Sequence, residues 1–338
     1  MSGRLPPSKE PRSAPRSASN IEGSLVYALD IGGSSVKSCL VHVKGDQVAI
    51  LERYGSARLP SRQFSDVEQI VVQAVGQVLS ATPTLSAVGI STTGSVDSSG
   101  IVVSAGHFQG YVNVSWNKLL RRDFPRLERV VAVNDGRAST WAEYCANISK
   151  ISSHIHAVVG TGVGGGIVYK GDLMQGDSGQ AGYIGHIKIT LDQTALCSCG
   201  KMGCVETLAS GPAIVRHFNA DPSGPNDDYA TAFDTVCELA RKGDMTARAA
   251  FSRAGYFLGM GLGNAMNVLN PSQVTVGGGV ILASESIDTL GDGGPYLRSV
   301  ADGIQAAAHK RVAAAATLRQ SVHGNDGGMV GAALLAAQ

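Results

Sequence analysis

The feature that most constrains the fold is a pattern that occurs twice. The segment LVYALDIGGSSVKSCLVHVKGDQVAI, residues 25–50, alternates apolar runs with turn residues. It reads as a strand, a glycine turn at Gly32 and Gly33, a second strand, a tight turn and a third strand. About 130 residues further on, HIHAVVG meets TGVGGG and continues as IVYKGDLM, an echo of the first unit. Strand, glycine turn and strand, followed each time by helical segments, predict an α/β chain of two similar domains facing a cleft. The length of 338 residues agrees, because a single hydrophobic core rarely organises more than about 250–300.

Between and after these units the periodicity changes. DVEQIVVQAVGQVLSA has apolar residues at helical spacing, LSAVGIS reads as a strand, and TTGSVDSSG reads as a loop. RVVAVNDGRASTWAEYCAN is a short apolar strand running into Asn134 and Asp135 and then a helix. AIVRHFNA, YATAFDTVCELARKG, TARAAFSRAGYFLGMGLGNAMNVLN and DGGMVGAALLAA are helical, with one strand, QVTVGG, before Gly277 to Gly279. Gly255, Gly259 and Gly263 recur at the spacing of a membrane dimerisation face, but the run is short and interrupted, so close packing of a buried helix is expected.

Composition narrows the partners. With 16% charged residues and a net charge of +1, the chain has no long-range attraction for nucleic acid or an anionic membrane. A small neutral or nucleotide ligand fits better. Residues 1–22, rich in Pro, Ser and Arg, read as a disordered tail without a signal-peptide core. No apolar run approaches the roughly eighteen residues of a membrane span, so a cytoplasmic location is expected. In that reducing compartment clustered cysteines favour metal over disulfides.

Three groups carry chemistry. Cys197, Cys199 and Cys204, with His186 eleven residues upstream of the first, form a Cys3His set suited to tetrahedral zinc. Buried thiols and, less readily, a strained Cys-x-Cys disulfide are the alternatives. Four protein ligands would close the site, so the implied metal is structural. The turn at Gly32, Gly33 and Ser34, with Lys37 nearby, and the turn at Gly160, Thr161, Gly162 and Gly164 could each aim backbone N–H groups at phosphate oxygens. A plain hairpin needs glycine there too. Asp135 stands where an apolar strand meets a helix, the ligand edge of an α/β sheet. It can be an N-terminal cap, a proton acceptor for an alcohol, or both; the helix end is expected to keep it ionised.

With these residues in place, the chain resembles the ROK group (repressors, open reading frames, sugar kinases) of the actin-like ATPase superfamily, from about residue 24 onward. CSCGKMGCVE carries the most specific part of the likeness, beside ALDIGGSSVKSCLV, GISTTGSVD, VNDGRAST, GTGVGGGIV, VTVGGGV and GNDGGMVGAALLA. The resemblance implies a two-domain, ribonuclease H-like α/β fold. It places a smaller domain at 23–134, joined by a C-terminal helix at 325–338, and a larger one at 135–324 holding a zinc-binding loop at 186–206. It implies ATP-dependent, glucokinase-like phosphorylation of a hexose or hexosamine at the 6-hydroxyl, with Asp135 as general base. Asn134, Tyr183, His186 and Glu206 would hold the sugar, and His186 would also serve a structural zinc. ATP and Mg2+ would lie between the glycine turns, near Asp30 and with Gly278 and Gly279 on the adenosine side. A homodimer or homotetramer is implied.

Two residues depart from the family pattern. Tyr183 stands where Glu-x-Gly-His is usual, which removes an acceptor and points to an amino, deoxy or otherwise modified hexose. Thr93 stands where a proline is usual. A sensor that binds sugar without turnover, and a transcriptional regulator lacking its DNA-binding domain, are the readings from other classes. The short basic segment before the first motif cannot form a reading helix.

Overall fold

The structure is a computed structural model that describes residues 23–106, 108–147, 151–192, 195–221, 229–288 and 293–338. The expected tail at 1–22 lies outside the described residues. The chain begins with β1 (Ser24–Ile31), β2 (Ser35–Lys44), β3 (Gln47–Arg58), α1 (Phe64–Ala81) and β4 (Ala87–Thr92). Three short strands follow, β5 (Ser95–Val96), β6 (Ile101–Ser104) and β7 (Val112–Ser115), then α2 (Trp116–Asp123), β8 (Arg129–Asn134) and α3 (Asp135–Cys145). The second half starts with β9 (Ser153–Val159), β10 (Val163–Tyr169) and β11 (Asp172–Leu173). It continues through α4 (Val205–Ala209), α5 (Gly211–Phe218), α6 (Tyr229–Arg241), α7 (Met245–Leu269), β12 (Gln273–Gly277), α8 (Gly279–Glu285), α9 (Gly294–Ala307), α10 (Lys310–Ala315), β13 (Thr317–Gln320) and α11 (Gly327–Ala337).

The repeated sequence unit becomes a repeated sheet. One sheet has the order β3-β2-β1-β4-β8 and the other β11-β10-β9-β12-β13. In each, three strands run antiparallel as successive hairpins, and two more add in parallel beside the first strand. β1 and β4 are central and covered on both faces, so their apolar residues run without alternation, whereas β3 forms an edge and is mostly exposed. One core gathers Tyr27, Leu29, Val71, Ile90 and Trp116 around α1; the other gathers Ile155, Val159, Phe251, Leu258, Val276 and Tyr296 around α7 and α9.

Small residues let the helices approach. Along α7, an added Cβ at Gly255 would lie 2.1 Å from Tyr296 O, and at Gly259 2.2 Å from Val300 O, so the glycine stripe serves contact with α9, as its sequence spacing implies. α11 is wedged in the same way between β4 and α3. A Cβ at Gly89 would meet Ala332 O at 2.4 Å, and one at Gly331 would meet Ala138 O at 1.7 Å. Because that neighbour is backbone, it cannot rotate away. Gly331→Ala is therefore expected to cost about 3 kcal/mol, read as a lower denaturation midpoint with an unchanged slope.

Two sequence readings need revision. Of GTGVGGG, only Gly160 to Gly162 forms the turn; Gly164, Gly165 and Gly166 lie inside β10, paired with Val158, Ala157 and His156. The reason is packing: a Cβ at Gly166 would stand 2.6 Å from Thr140 Oγ1 of α3, and one at Gly136 2.5 Å from Gly165 N. The expected loop TTGSVDSSG contains β5, which pairs with β6. No helix among the described residues is long and apolar enough to cross a membrane.

Candidate active site

Asp135 opens α3, and Asn134 caps it by accepting from the Arg137 N–H at 3.2 Å. Asp135 Oδ1 accepts from Gly136 N at 2.8 Å and from Asn134 Nδ2 at 2.9 Å, and Oδ2 takes neither bond. The same Asn134 amide donates to Gly94 O at 2.9 Å, which ties α3 to the segment entering β5. Burial, then the charge of Asp30, raise the Asp135 carboxyl to about 6; the Gly136 N–H and the Asn134 amide pull it down. Burial and the charge of Asp30 thus outweigh the helix end in setting the pKa, yet at about 6 the carboxyl is still mostly ionised at pH 7.

Asp30 is the penultimate residue of β1 and lies opposite Ser91 in the parallel register with β4. It accepts from Ser91 Oγ at 2.6 Å. Burial raises its pKa against the Ser91 hydrogen bond and the charge of Lys37, its antiparallel partner on β2. Gly32 N closes the first turn on Ser35 O at 3.0 Å, and Ser34 O accepts from Leu59 N. Gly33 faces open space. The first residues of α11 approach this carboxylate, since a Cβ at Gly328 would come within 2.9 Å of Asp30 Oδ1.

In the other sheet Gly160 N meets Gly162 O at 3.0 Å, Gly160 O accepts from Gly211 N, and Thr161 Oγ1 bonds the Tyr229 hydroxyl at 2.8 Å. Gly278, at φ +95°, caps α8, and a Cβ there would strike Val159 O at 2.4 Å, so only glycine fits. Gly278 is thereby packed against the end of β9, beside the Gly160 turn. Gly279 faces open space.

Glu206 lies near the start of α4 and takes Val163 N at 3.1 Å on one oxygen and Ser198 Oγ at 2.8 Å on the other. It is thus held between β10 and the cysteine loop. His186 Nδ1 is 3.4 Å from Cys197 Sγ, and Cys199 Sγ is 3.7 Å from Cys204 Sγ. The four candidate ligand atoms lie within 4.8 Å of one another. A tetrahedron with metal–sulfur bonds of about 2.3 Å has sulfur–sulfur edges of about 3.7 Å. The donor set and its spacing fit zinc, and all six cysteines are free of disulfides. Tyr183 stacks obliquely on His186, ring centroids 5.6 Å apart, and its hydroxyl donates to Gln180 Oε1 at 2.5 Å and lies 3.0 Å from Ser95 Oγ.

The fold therefore brings Asp135 within electrostatic reach of Asp30, and His186, Glu206 and the cysteines next to one another. Sequence reasoning missed Ser91, Ser95, Arg137, Gln180 and Ser198. Ser198 sits between two proposed ligands and could have been read from the motif, whereas Ser95 and Gln180 meet across 85 residues and carry no local signal.

The chain as a whole resembles known proteins. The ROK family model matches residues 26–338. The chain belongs to the ROK family. A relative from Halalkalibacterium halodurans named glucokinase is 29% identical over 333 residues, covering 92% of this chain and 94% of its own. N-acetylmannosamine kinase of Escherichia coli O157:H7 is 30% identical, covering 91% of this chain and 97% of its own. The crystal structure of a ROK family glucokinase from Streptomyces griseus, in complex with glucose and AMPPNP, superposes with a TM-score of 0.74 at 27% identity, covering 93% of this chain and 99% of that one. The two-sheet α/β architecture is thus that of ROK glucokinase structures.

Proposed function

We propose that the chain is an ATP-dependent sugar kinase that phosphorylates a hexose, or an amino or otherwise modified hexose, at the 6-hydroxyl, with Asp135 as general base. The observation that carries this reading is the state of Asp135. It is a half-buried carboxylate with a pKa raised to about 6, fixed through Oδ1 at the start of α3 and within electrostatic reach of Asp30, which precedes the first glycine turn. The names of the relatives supply the sugar and the nucleotide. In the reaction the sugar O–H proton passes to Asp135, the freed oxygen forms a bond to the terminal phosphorus, and the bond from that phosphorus to ADP breaks.

Asn134 orients neighbouring hydroxyls, while Glu206, His186 and Tyr183 hold the ring. Gly32, Gly33, Ser34, Lys37, Gly160, Thr161 and Gly162 line the nucleotide phosphates, with Gly278 and Gly279 beside the adenosine. Magnesium would be held on the Asp30 side and would supply charge neutralisation at the phosphates. Zinc would be held by His186, Cys197, Cys199 and Cys204 and would fix the loop that positions Glu206.

The test is coupled ADP release over a panel of hexoses, amino sugars and N-acetyl sugars. Turnover with at least one is expected; silence across the panel with sugar binding intact would establish a sensor instead. The pH profile gives a second check. A base must be ionised, so with a pKa raised to about 6, kcat/KM should fall about tenfold per unit as pH drops below that value. A flat profile down to pH 4.5 would remove Asp135 from the role.

A further inference from the structure

A cavity of about 530 Å³ lies away from the candidate active site, where the hairpin of β2 and β3, the C-terminal end of α3, the segment before α11 and α11 itself meet. Ala142 and Ala146 line it, which places it about 10–16 Å along α3 from Asp135 at 1.5 Å per residue. The kinase reading uses none of its walls. Its volume is in the range of small-molecule sites.

The cavity stands where the two sheets are joined. The chain leaves the first sheet through β8 and α3, and it returns from β13 of the second through residues 321–326 to α11, which packs on Val26, Ala28 and Val41 of the first. Glu143 of α3, buried, laces the two crossings together: it accepts from Ser321 Oγ at 2.5 Å, His323 N at 3.0 Å and Val322 N at 3.1 Å. Arg53 of β3 then grips Asp326 through two bonds, at 2.8 and 2.7 Å. Because the lining takes in both the hairpin and His323, a molecule held there touches the first sheet and the return crossing at once.

The walls are of two kinds. Val48, Ala49, Ala142, Ala146 and Leu334 offer hydrocarbon, so the body of a ligand must be apolar. His42 and Lys44, two apart on β2, share one face of that strand, and with His323 they offer donors and the positive charge of Lys44. His42 Nε2 is buried with no hydrogen-bond partner among the described residues. Asp46 is the one acid of the lining, and it already accepts from the Cys145 thiol. Charge and donors therefore favour an anionic head group on the hairpin side.

We propose that this cavity is an effector site for a small organic anion with an apolar body, and that its occupancy is felt at the substrate site through α3 and the return crossing. The head lies toward His42, Lys44 and His323, and the body lies against α3 and α11. This goes beyond the kinase reading and needs no turnover to be tested.

Calorimetry on the full chain compares probes that share a six-carbon body and differ in head: hexyl phosphate, hexanoate, hexan-1-ol and hexylammonium, with inorganic phosphate as the head alone. The two anions are expected to bind about tenfold or more tighter than the alcohol, the amine and inorganic phosphate. Two variants locate the site. Ala49→Trp fills the cavity from an exposed wall, and Lys44→Glu reverses an exposed charge; each should weaken both anions about tenfold while leaving the Kd for AMPPNP alone unchanged. Should Ala49→Trp not fold, Lys44→Glu carries the test. Equal binding of all heads, binding by inorganic phosphate as tight as by hexyl phosphate, or native anion affinity in the folded variants overturns the site. Saturating hexyl phosphate should also shift the sugar Kd about threefold or more, and the sugar should shift the anion Kd by the same factor. If no sugar binds, the kinase reading has failed, and AMPPNP takes the place of the sugar in this titration. Anion binding without a shift overturns the effector role, as does a shift that persists in Lys44→Glu, which would place the anion at the substrate site instead.

Discussion

Asp135→Asn is expected to lower turnover by about three orders of magnitude while leaving the fold intact, and even to stabilise it above pH 7. The kinetic part follows from the role: an amide cannot accept the hydroxyl proton, and a positioned base contributes about 10²–10⁴ in rate. Binding should survive, because Asn Oδ1 can accept the same Gly136 N–H and Asn134 amide bonds that Asp135 Oδ1 holds at 2.8 and 2.9 Å. KM for both substrates is therefore expected to stay within a few-fold. The stability part follows from the sign of the shift. Burial and Asp30 raise the folded-state pKa to about 6 from 3.8, so the folded chain binds this proton more tightly than the unfolded chain does. Ionised Asp135 therefore costs stability, and the cost grows as pH rises from 3.8 through about 6 and is full above it. By linkage it amounts to about 1–3 kcal/mol. Asparagine removes it, so the melting temperature of the variant should be equal or higher at pH 8 and lose this advantage near pH 4. Full activity in a folded variant would end the base assignment, and a large loss of Tm at pH 8 would show that the carboxylate stabilises rather than strains the helix start.

Much of this was legible in the sequence for physical reasons. Strands buried on both faces leave long apolar runs, so β1, β4, β8, β9 and β12 stood out, and the twice-used hairpin gave the two equivalent sheets. Glycines were legible as close approach but ambiguous as to what approached. At Gly278 the neighbour is the backbone of Val159, at Gly166 it is Thr140, and no local pattern separates these from a turn built for phosphate. α8, α10 and β13 drew no reading, because in GGVILASES and TLRQSV short elements lack a full period of alternation; α9 drew none either, although its 14 residues carry an apolar face at Leu297, Val300 and Ile304. The ligand set was legible because three cysteines within eight residues leave few alternatives. The charge balance of the site was not: Asp30 and Asp135 are 105 positions apart and become neighbours only when β8 and β1 flank β4.

Cys199→Ser is the second large expected effect, because it tests whether the cysteine loop is a fold element or part of the sugar site. The native chain should hold about one zinc, and the variant close to none, since three donors with a weak hydroxyl bind far less tightly than a closed Cys3His set. Cys199 is exposed while Cys197 and Cys204 are buried, so replacing it leaves no core cavity and the sheets should remain folded by circular dichroism. The loss falls on the loop. Ser198, which holds one oxygen of Glu206 at 2.8 Å, lies between Cys197 and Cys199 and has no helix or strand to fix it. Without the metal that serine and the Cys197 Sγ, 3.4 Å from the same Glu206 oxygen, are no longer fixed, and the firm hold on Glu206 is the Val163 N–H at 3.1 Å. The sugar KM should then rise at least tenfold, as for a carboxylate that no longer stands in place, while the KM for ATP should change little, because the nucleotide turns do not depend on this loop. A zinc-free variant with native sugar KM would show that Glu206 is positioned by β10 alone. An equal rise in both KM values would show instead that the metal supports the larger core rather than the sugar-binding carboxylate.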